Sequence, residues 1–210
     1  MTQRTLSLVN NSGRPGSLVV FQGASGSLSA LAWLARYAYP GTTVQFQWDD
    51  SSYCFAWSGT GQLGPGVVVE ASQIVSAYPA AQNQITLSYY AQQQTFNLHD
   101  LSSGSPQGSF LIRQDASIPY GGASVGIGMA GKPTLMVQAM PNMMVQISPQ
   151  VRYWLTFGDY QQGQCLDAAG LQATELTFPA NVTAMTATYN ADGSWDIQSD
   201  ILAQDPEATA

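Results

Sequence analysis

Val44-Gln45-Phe46-Gln47-Trp48 alternates apolar and polar residues without a break, and Thr5-Leu6-Ser7-Leu8 does the same. Val182-Thr183-Ala184-Met185 with Ala187 follows more loosely. Successive side chains of an extended chain point to opposite faces, so this period of two predicts half-buried strands, apolar side on the core and polar side in water. Further strands are predicted at 17–22, 53–58, 67–71, 84–90, 95–98, 110–113, 123–129, 134–139, 143–148, 153–157, 173–178 and 194–198. Turn residues separate most of them, as in Ser12-Gly13-Arg14-Pro15-Gly16, Gly64-Pro65-Gly66, Pro119-Tyr120-Gly121-Gly122 and Ala191-Asp192-Gly193. Many short strands at this spacing predict an all-β fold, a β-sandwich of mainly antiparallel strands.

One segment reads both ways. Leu28, Leu31, Leu34 and Ala35 stand at helical spacing, but the stretch 28–37 is bounded by Gly26 and Pro40 at a length that fits a short helix or a strand. An internal duplication is also visible. Tyr53-Cys54-Phe55-Ala56-Trp57 matches Tyr153-Trp154-Leu155-Thr156-Phe157 in type, and each is followed by Gly-Gln, at Gly61-Gln62 and Gly163-Gln164. Val44-Gln45-Phe46 precedes the first and Val145-Gln146-Ile147 the second; earlier still stand Leu18-Val19-Val20-Phe21-Gln22 and Leu135-Met136-Val137-Gln138. The expectation is one sandwich domain over 1–198, built of half-repeats at about 1–100 and 108–198, with an acidic tail at 199–210.

Composition changes the picture of the surface. Charged residues make up 9% of the 210, where about 25% is usual. Gln, Ser, Thr, Asn and Gly carry the polarity instead, including the run Gln92-Gln93-Gln94. Such a surface suits packing against copies of itself, or a neutral polar ligand such as a sugar. Six Lys+Arg against thirteen Asp+Glu, a net charge of -7, argue against nucleic acid as a partner. No apolar run is long enough to span a membrane as a helix. The N-terminal segment lacks the apolar core of a signal peptide, so the expected location is cytoplasmic, or outside by a route without a cleaved signal.

Candidate chemistry is sparse. His99 is the one histidine and sits beside Asp100; on a regular strand the two side chains face opposite ways, and no Gly-x-Ser-x-Gly elbow is present. Cys54 and Cys165 form no framework and read as free buried thiols. Gly126-Ile127-Gly128-Met129-Ala130-Gly131 spells a dinucleotide-binding pattern, yet Lys132-Pro133 follows where a helix should open; the glycines fit a strand lying close to its neighbour. Asp192-Gly193 reads as a hairpin turn rather than a calcium loop. The residues therefore point to no cofactor, no metal and no enzyme. Five methionines crowd into 129–144 and suit core filling, a contact surface or a soft metal. The aromatics Trp48, Tyr53, Phe55, Trp57, Tyr153 and Phe157 read as core, whereas Trp154 lies on the opposite face from Tyr153 and is expected to be exposed.

The ordered motifs resemble those of the rhizosphere-induced protein family of rhizobia and other bacteria. They include Ser29-Ala30-Leu31-Ala32-Trp33, Phe46-Gln47-Trp48, Tyr53-Cys54-Phe55-Ala56-Trp57, Thr60-Gly61-Gln62-Leu63-Gly64-Pro65-Gly66-Val67, Ala123-Ser124-Val125-Gly126-Ile127-Gly128-Met129, Gln138-Ala139-Met140-Pro141-Asn142-Met143 and Phe157-Gly158-Asp159-Tyr160-Gln161-Gln162-Gly163-Gln164. The likeness spans roughly residues 5 to 198. It implies a bacterial protein linked to life around plant roots, and it brings no assigned activity and no catalytic residues.

Two functional expectations follow. The first is a non-catalytic protein that self-associates into a homo-oligomer or larger assembly, because neutral strands lack the charged edge protection that blocks edge pairing. The second is a carbohydrate-binding module, with Trp154 or Tyr160 as platform and Gln161 and Gln162 as hydrogen bonders. A hydrolase working through paired carboxylates stands behind both.

Overall fold

Alternation becomes strand along most of the chain. The structure, a computed structural model, describes residues 2–149, 152–167 and 170–200; the tail expected at 199–210 lies outside the described residues from 201 onward. Among the described residues there are 17 strands and no helix. In chain order they are β1 (Gln3–Asn11), β2 (Gly16–Gln22), β3 (Ser29–Ala30), β4 (Leu34–Ala38), β5 (Thr43–Asp49), β6 (Tyr53–Ser58), β7 (Gln73–Ala77), β8 (Gln84–Tyr90) and β9 (Thr95–Ser102). They continue as β10 (Phe110–Gln114), β11 (Ser124–Met129), β12 (Lys132–Gln138), β13 (Met143–Ile147), β14 (Tyr153–Gly158), β15 (Thr174–Leu176), β16 (Ala184–Asn190) and β17 (Trp195–Ser199).

These strands form four sheets, ordered β17-β16-β1-β5, β13-β10-β8-β9, β3-β12-β11-β6-β7 and β15-β14-β2-β4. Pairing is antiparallel except for β1 with β16 and β8 with β10. Every sheet draws strands from both 2–102 and 110–199. The pairings also recur in order. β1 pairs β5 as β10 pairs β13, β2 pairs β4 as β11 pairs β12, and β8 pairs β9 as β16 pairs β17. Between the two stretches, β2 pairs β14 as β11 pairs β6. In this order β2 corresponds to β11 and β4 to β12.

The ambiguous stretch 28–37 is extended. It supplies β3 at the edge beside β12, and β4 beside β2, with Ala30 opposite Leu135 and Leu34 opposite Val20. Its leucines need no helical face, because Leu31 and Leu34 are buried between sheets. The strand predicted at 67–71 does not form. Instead, the Val67 carbonyl accepts from the Cys165 N–H, and the Val69 N–H donates to the Gly163 carbonyl. The edge strand in that region is β7, which period two did not reveal.

The core is continuous across all four sheets. Leu6 and Leu8 of β1, Phe55 of β6, Ile85 and Leu87 of β8, Ile112 of β10, Ile127 of β11 and Leu155 of β14 belong to one buried cluster. At one end Trp33, Trp48 and Tyr153 pack ring against ring with centroids 5.1–6.0 Å apart. Their polar atoms are paired. Trp48 Nε1 donates to Tyr153 Oη at 3.0 Å, and Trp33 Nε1 to the Met129 carbonyl at 3.0 Å. Burial pushes the Tyr153 hydroxyl up to about 12, so it stays protonated at any ordinary pH. Gly126 and Gly128 serve the close approach of β12 to β11. A Cβ on Gly126 would lie 1.9 Å from the Leu135 carbonyl oxygen.

Candidate functional site

Trp154 sits on β14 between β2 and β15. Strand alternation sends Tyr153 and Leu155 into the core and leaves Trp154 on the other face, half-buried rather than exposed as expected. The reason is Gly23, just past the end of β2. A Cβ there would stand 3.1 Å from Trp154 Nε1, so the bare backbone lets the indole settle onto the chain. The ring divides two grooves. One, of about 300 Å³, is largely apolar, with Phe21, Leu166, Leu171 and Ala173. The other, of about 350 Å³, presents Gln22, Ser25, Gln146, Ser148 and Arg152 beside the indole. No carboxylate, histidine or cysteine lines this polar groove among the described residues.

Gln22 distinguishes the polar groove. It closes the fully buried run of β2 and is 3% exposed, and its Nε2 has no hydrogen-bond partner among the described residues. An unpaired buried donor costs about 1–3 kcal/mol. Arg152 lies 3.8 Å from Glu175, a long contact on an exposed side chain that leaves the guanidinium able to donate elsewhere.

The other expected binding residues lie away from Trp154. After β14 the chain turns, and Tyr160 lays its half-buried ring against Gly158. Gln161 is exposed, and its backbone N–H donates to Gln164 Oε1 at 2.9 Å. Gln162 accepts from Lys132 Nζ at 3.1 Å and lines a different groove, of about 280 Å³, with Trp33, Val69 and Ile74. Burial, with Arg36 nearby, holds the Lys132 ammonium below its ordinary value. Trp154 and Gln162 thus occupy separate grooves, and Tyr160 and Gln161 line neither. Sequence reading missed Gln22, Gln146 and Arg152. The one signal available was a glutamine ending an otherwise apolar strand.

A second polar cluster overturns the expected geometry of His99 and Asp100. The register of β8 against β9 shifts between Gln84 and Thr86, and Asp100 adopts a left-handed φ of 55°. This bulge swings the Asp100 carboxylate back to His99 Nδ1, at 3.0 Å, while His99 Nε2 meets Ser88 Oγ at 2.8 Å. The order of contacts is that of a Ser-His-Asp triad. Its protons are arranged otherwise. The Ser88 hydroxyl also hydrogen-bonds Asp115 Oδ2. Serine has one hydrogen, so donating it to Asp115 makes His99 Nε2 the donor to Ser88, the reverse of an activated nucleophile. Ser88 is 7% exposed, and the next backbone N–H, of Tyr89, is taken by Ser117 Oγ at 2.7 Å. None of the four described grooves includes Ser88, His99 or Asp115. The cluster clamps β8, β9 and the turn after β10. Burial pushes the Asp115 carboxyl up, but hydrogen bonds from Ser117 and Ser88, with His99 close by, outweigh it and hold the group below its ordinary value.

Both cysteines are free and buried. Burial pushes the Cys54 thiol up to about 11 and raises Cys165 as well, so neither is a ready nucleophile. Among the described residues, no three or more His, Cys, Asp or Glu side chains gather as a metal site would need. The methionines of 129–144 divide: Met129 and Met136 are core, while Met140, Met143 and Met144 are exposed.

Comparison with known proteins gives one consistent picture. The RhiA family model matches residues 1–200. Protein RhiA of Rhizobium leguminosarum bv. viciae is 32% identical over 203 residues, covering 93% of this chain and 86% of that protein. No solved structure gives a significant match.

Proposed function

The chain belongs to the RhiA family of rhizosphere-induced proteins, and from that premise we propose that it is a non-catalytic binding protein whose ligand is a neutral glycan held in the polar groove beside Trp154. The observation that carries this reading is the unpaired Nε2 of Gln22, a buried residue that lines that groove together with Trp154. A sugar ring has the matching chemistry, with C–H bonds to lay on an aromatic and hydroxyl oxygens to accept from an amide. Ser25, Gln146 and Ser148 add neutral donors and acceptors. The test is titration with neutral oligosaccharides, followed by tryptophan fluorescence. Trp154→Ala should weaken binding by at least about 2 kcal/mol, roughly thirtyfold, as removal of a central aromatic anchor does. Binding that survives this change intact would sink the proposed platform.

Self-association is the second reading, favoured by β13. This edge strand, Met143-Met144-Val145-Gln146-Ile147, carries neither charge nor proline, and Met144 is 51% exposed. Light scattering across a wide concentration range should then show growth of oligomers, and Met144→Lys should suppress it. A monomer at every concentration would remove this reading.

A further inference from the structure

We infer, resting on the glycan reading, that the site runs on from the Trp154 groove into a second groove and takes a linear oligosaccharide bearing N-acyl groups. The second groove, of about 380 Å³, includes Gln114, Val137, Met140, Met143 and Val145. The two share walls. β12 gives Leu135 to the first and Val137 to the second, and β13 gives Ile147 to the first and Val145 to the second. β12 and β13 belong to different sheets, so the space between them is a cleft and not a paired ladder. From Met143 to Ile147 it extends roughly 13 Å at the rise of a strand, which is longer than one sugar ring.

Unpaired donors mark both ends. Among the described residues three buried side-chain polar atoms lack a partner, and two of them are Gln22 Nε2 and Gln114 Nε2. Each glutamine is 3% exposed, and each lines one of these grooves. The orientation of the Gln114 amide is set by Met140, whose N–H donates to Oε1 at 2.7 Å, so the NH₂ group is the part left over. Such donors are uncommon in folded proteins, and two in one cleft call for a ligand with an acceptor at each.

The surroundings select the acceptor. Beside Gln22 they are polar and aromatic, which suits hydroxyls and a ring face. Beside Gln114 they are mainly apolar, with Val137, Val145, Met140 and Met143 outweighing Ser27, Ser29 and Gln138, and Met140 and Met143 are 38% and 45% exposed. An acceptor there should carry an apolar group to cover the thioethers, as the carbonyl and methyl of an acetamido group do. Among the described residues no charged side chain lines the second groove, which suits an uncharged ligand.

The experiment measures affinities of N-acetylglucosamine, its β-1,4-linked hexamer and cellohexaose by calorimetry. The proteins are the wild type, Gln114→Glu, Met143→Ser and Trp154→Ala. The acetylated hexamer should bind at least about tenfold more tightly than either comparison sugar. Gln114→Glu and Met143→Ser should each weaken the hexamer by about three- to tenfold and leave the monosaccharide unchanged. If hexamers bind no better than the monosaccharide, and both variants match wild type while Trp154→Ala loses binding, the extension falls and the glycan reading stands. Equal affinity of the two hexamers overturns the acyl assignment. Binding of no sugar overturns both readings. Met143 is exposed, so its variant keeps the test decisive even if Gln114→Glu fails to fold.

Discussion

The left-handed φ of Asp100 determines what the only histidine touches. On a regular strand His99 and Asp100 would face opposite ways; at the bulge they meet, and Ser88 and Asp115 complete a closed network. Asp115 gives that network a pH dependence of known sign. Its carboxyl is depressed in the folded protein despite the opposing effect of burial, because hydrogen bonds from Ser117 and Ser88 favour the charged form. A group depressed on folding contributes stability that is complete above its unfolded value, about 3.9. That contribution is lost as pH falls through the lower folded value. Urea midpoints should therefore show wild type above Asp115→Asn near neutral pH, with the gap closing below about pH 4. A gap that stays constant down to about pH 2.5 would mean that the charge on Asp115 contributes nothing. No residue-scale reading of the sequence could have found this, since Ser88 and Asp115 are 27 positions apart and only the sheet brings them together.

At the scale of elements, β11 shows how much a local pattern can say. Its glycines match a nucleotide-binding word, yet the absence of a helix after Lys132-Pro133 was enough to read them as a place where strands come close. The spacing of β12 makes that concrete. Gly126→Ala forces a methyl group against the Leu135 carbonyl and the Met136 backbone, neither of which can rotate away. The expected loss is about 1–3 kcal/mol or more, read as a lower urea midpoint. An unchanged midpoint would show that β12 can shift without cost. Elements that alternate, such as β1 and β5, were legible because one face is buried and the other wet. β7 was not, because Gln73 uses its side chain to bond the Leu98 backbone of β9, a role that period two does not encode. The stretch 28–37 was undecidable locally because Leu28, Leu31 and Leu34 fit helical spacing, and only the pairing of β3 with β12 and of β4 with β2 makes the chain extended.

At the scale of the whole molecule, the four sheets interlock the two stretches of chain. The inner pairs β1–β16, β8–β10, β2–β14 and β6–β11 all join one stretch to the other. Neither stretch alone can close a sheet or bury the common core, and each would expose unpaired strand edges. Residues 1–105 and 106–210 expressed separately should be unfolded or aggregated, and mixed during refolding they should recover the far-ultraviolet spectrum of the intact chain. Cooperative unfolding of either piece on its own would contradict the interlocked topology.

By itself the sequence determined the all-β class, the buried and wet faces of the alternating strands, the poverty of charge, and the family to which the chain belongs. These are local or cumulative properties, written in spacing and composition. Tertiary structure decided which residues share a groove. It parted Trp154 from Gln162, joined His99 to Ser88 and Asp115, and set Gln22 and Gln114 in two grooves that both take residues from β12 and β13. Those outcomes depend on which strands become neighbours, and strand order comes from long-range pairing and core packing rather than from any period along the chain.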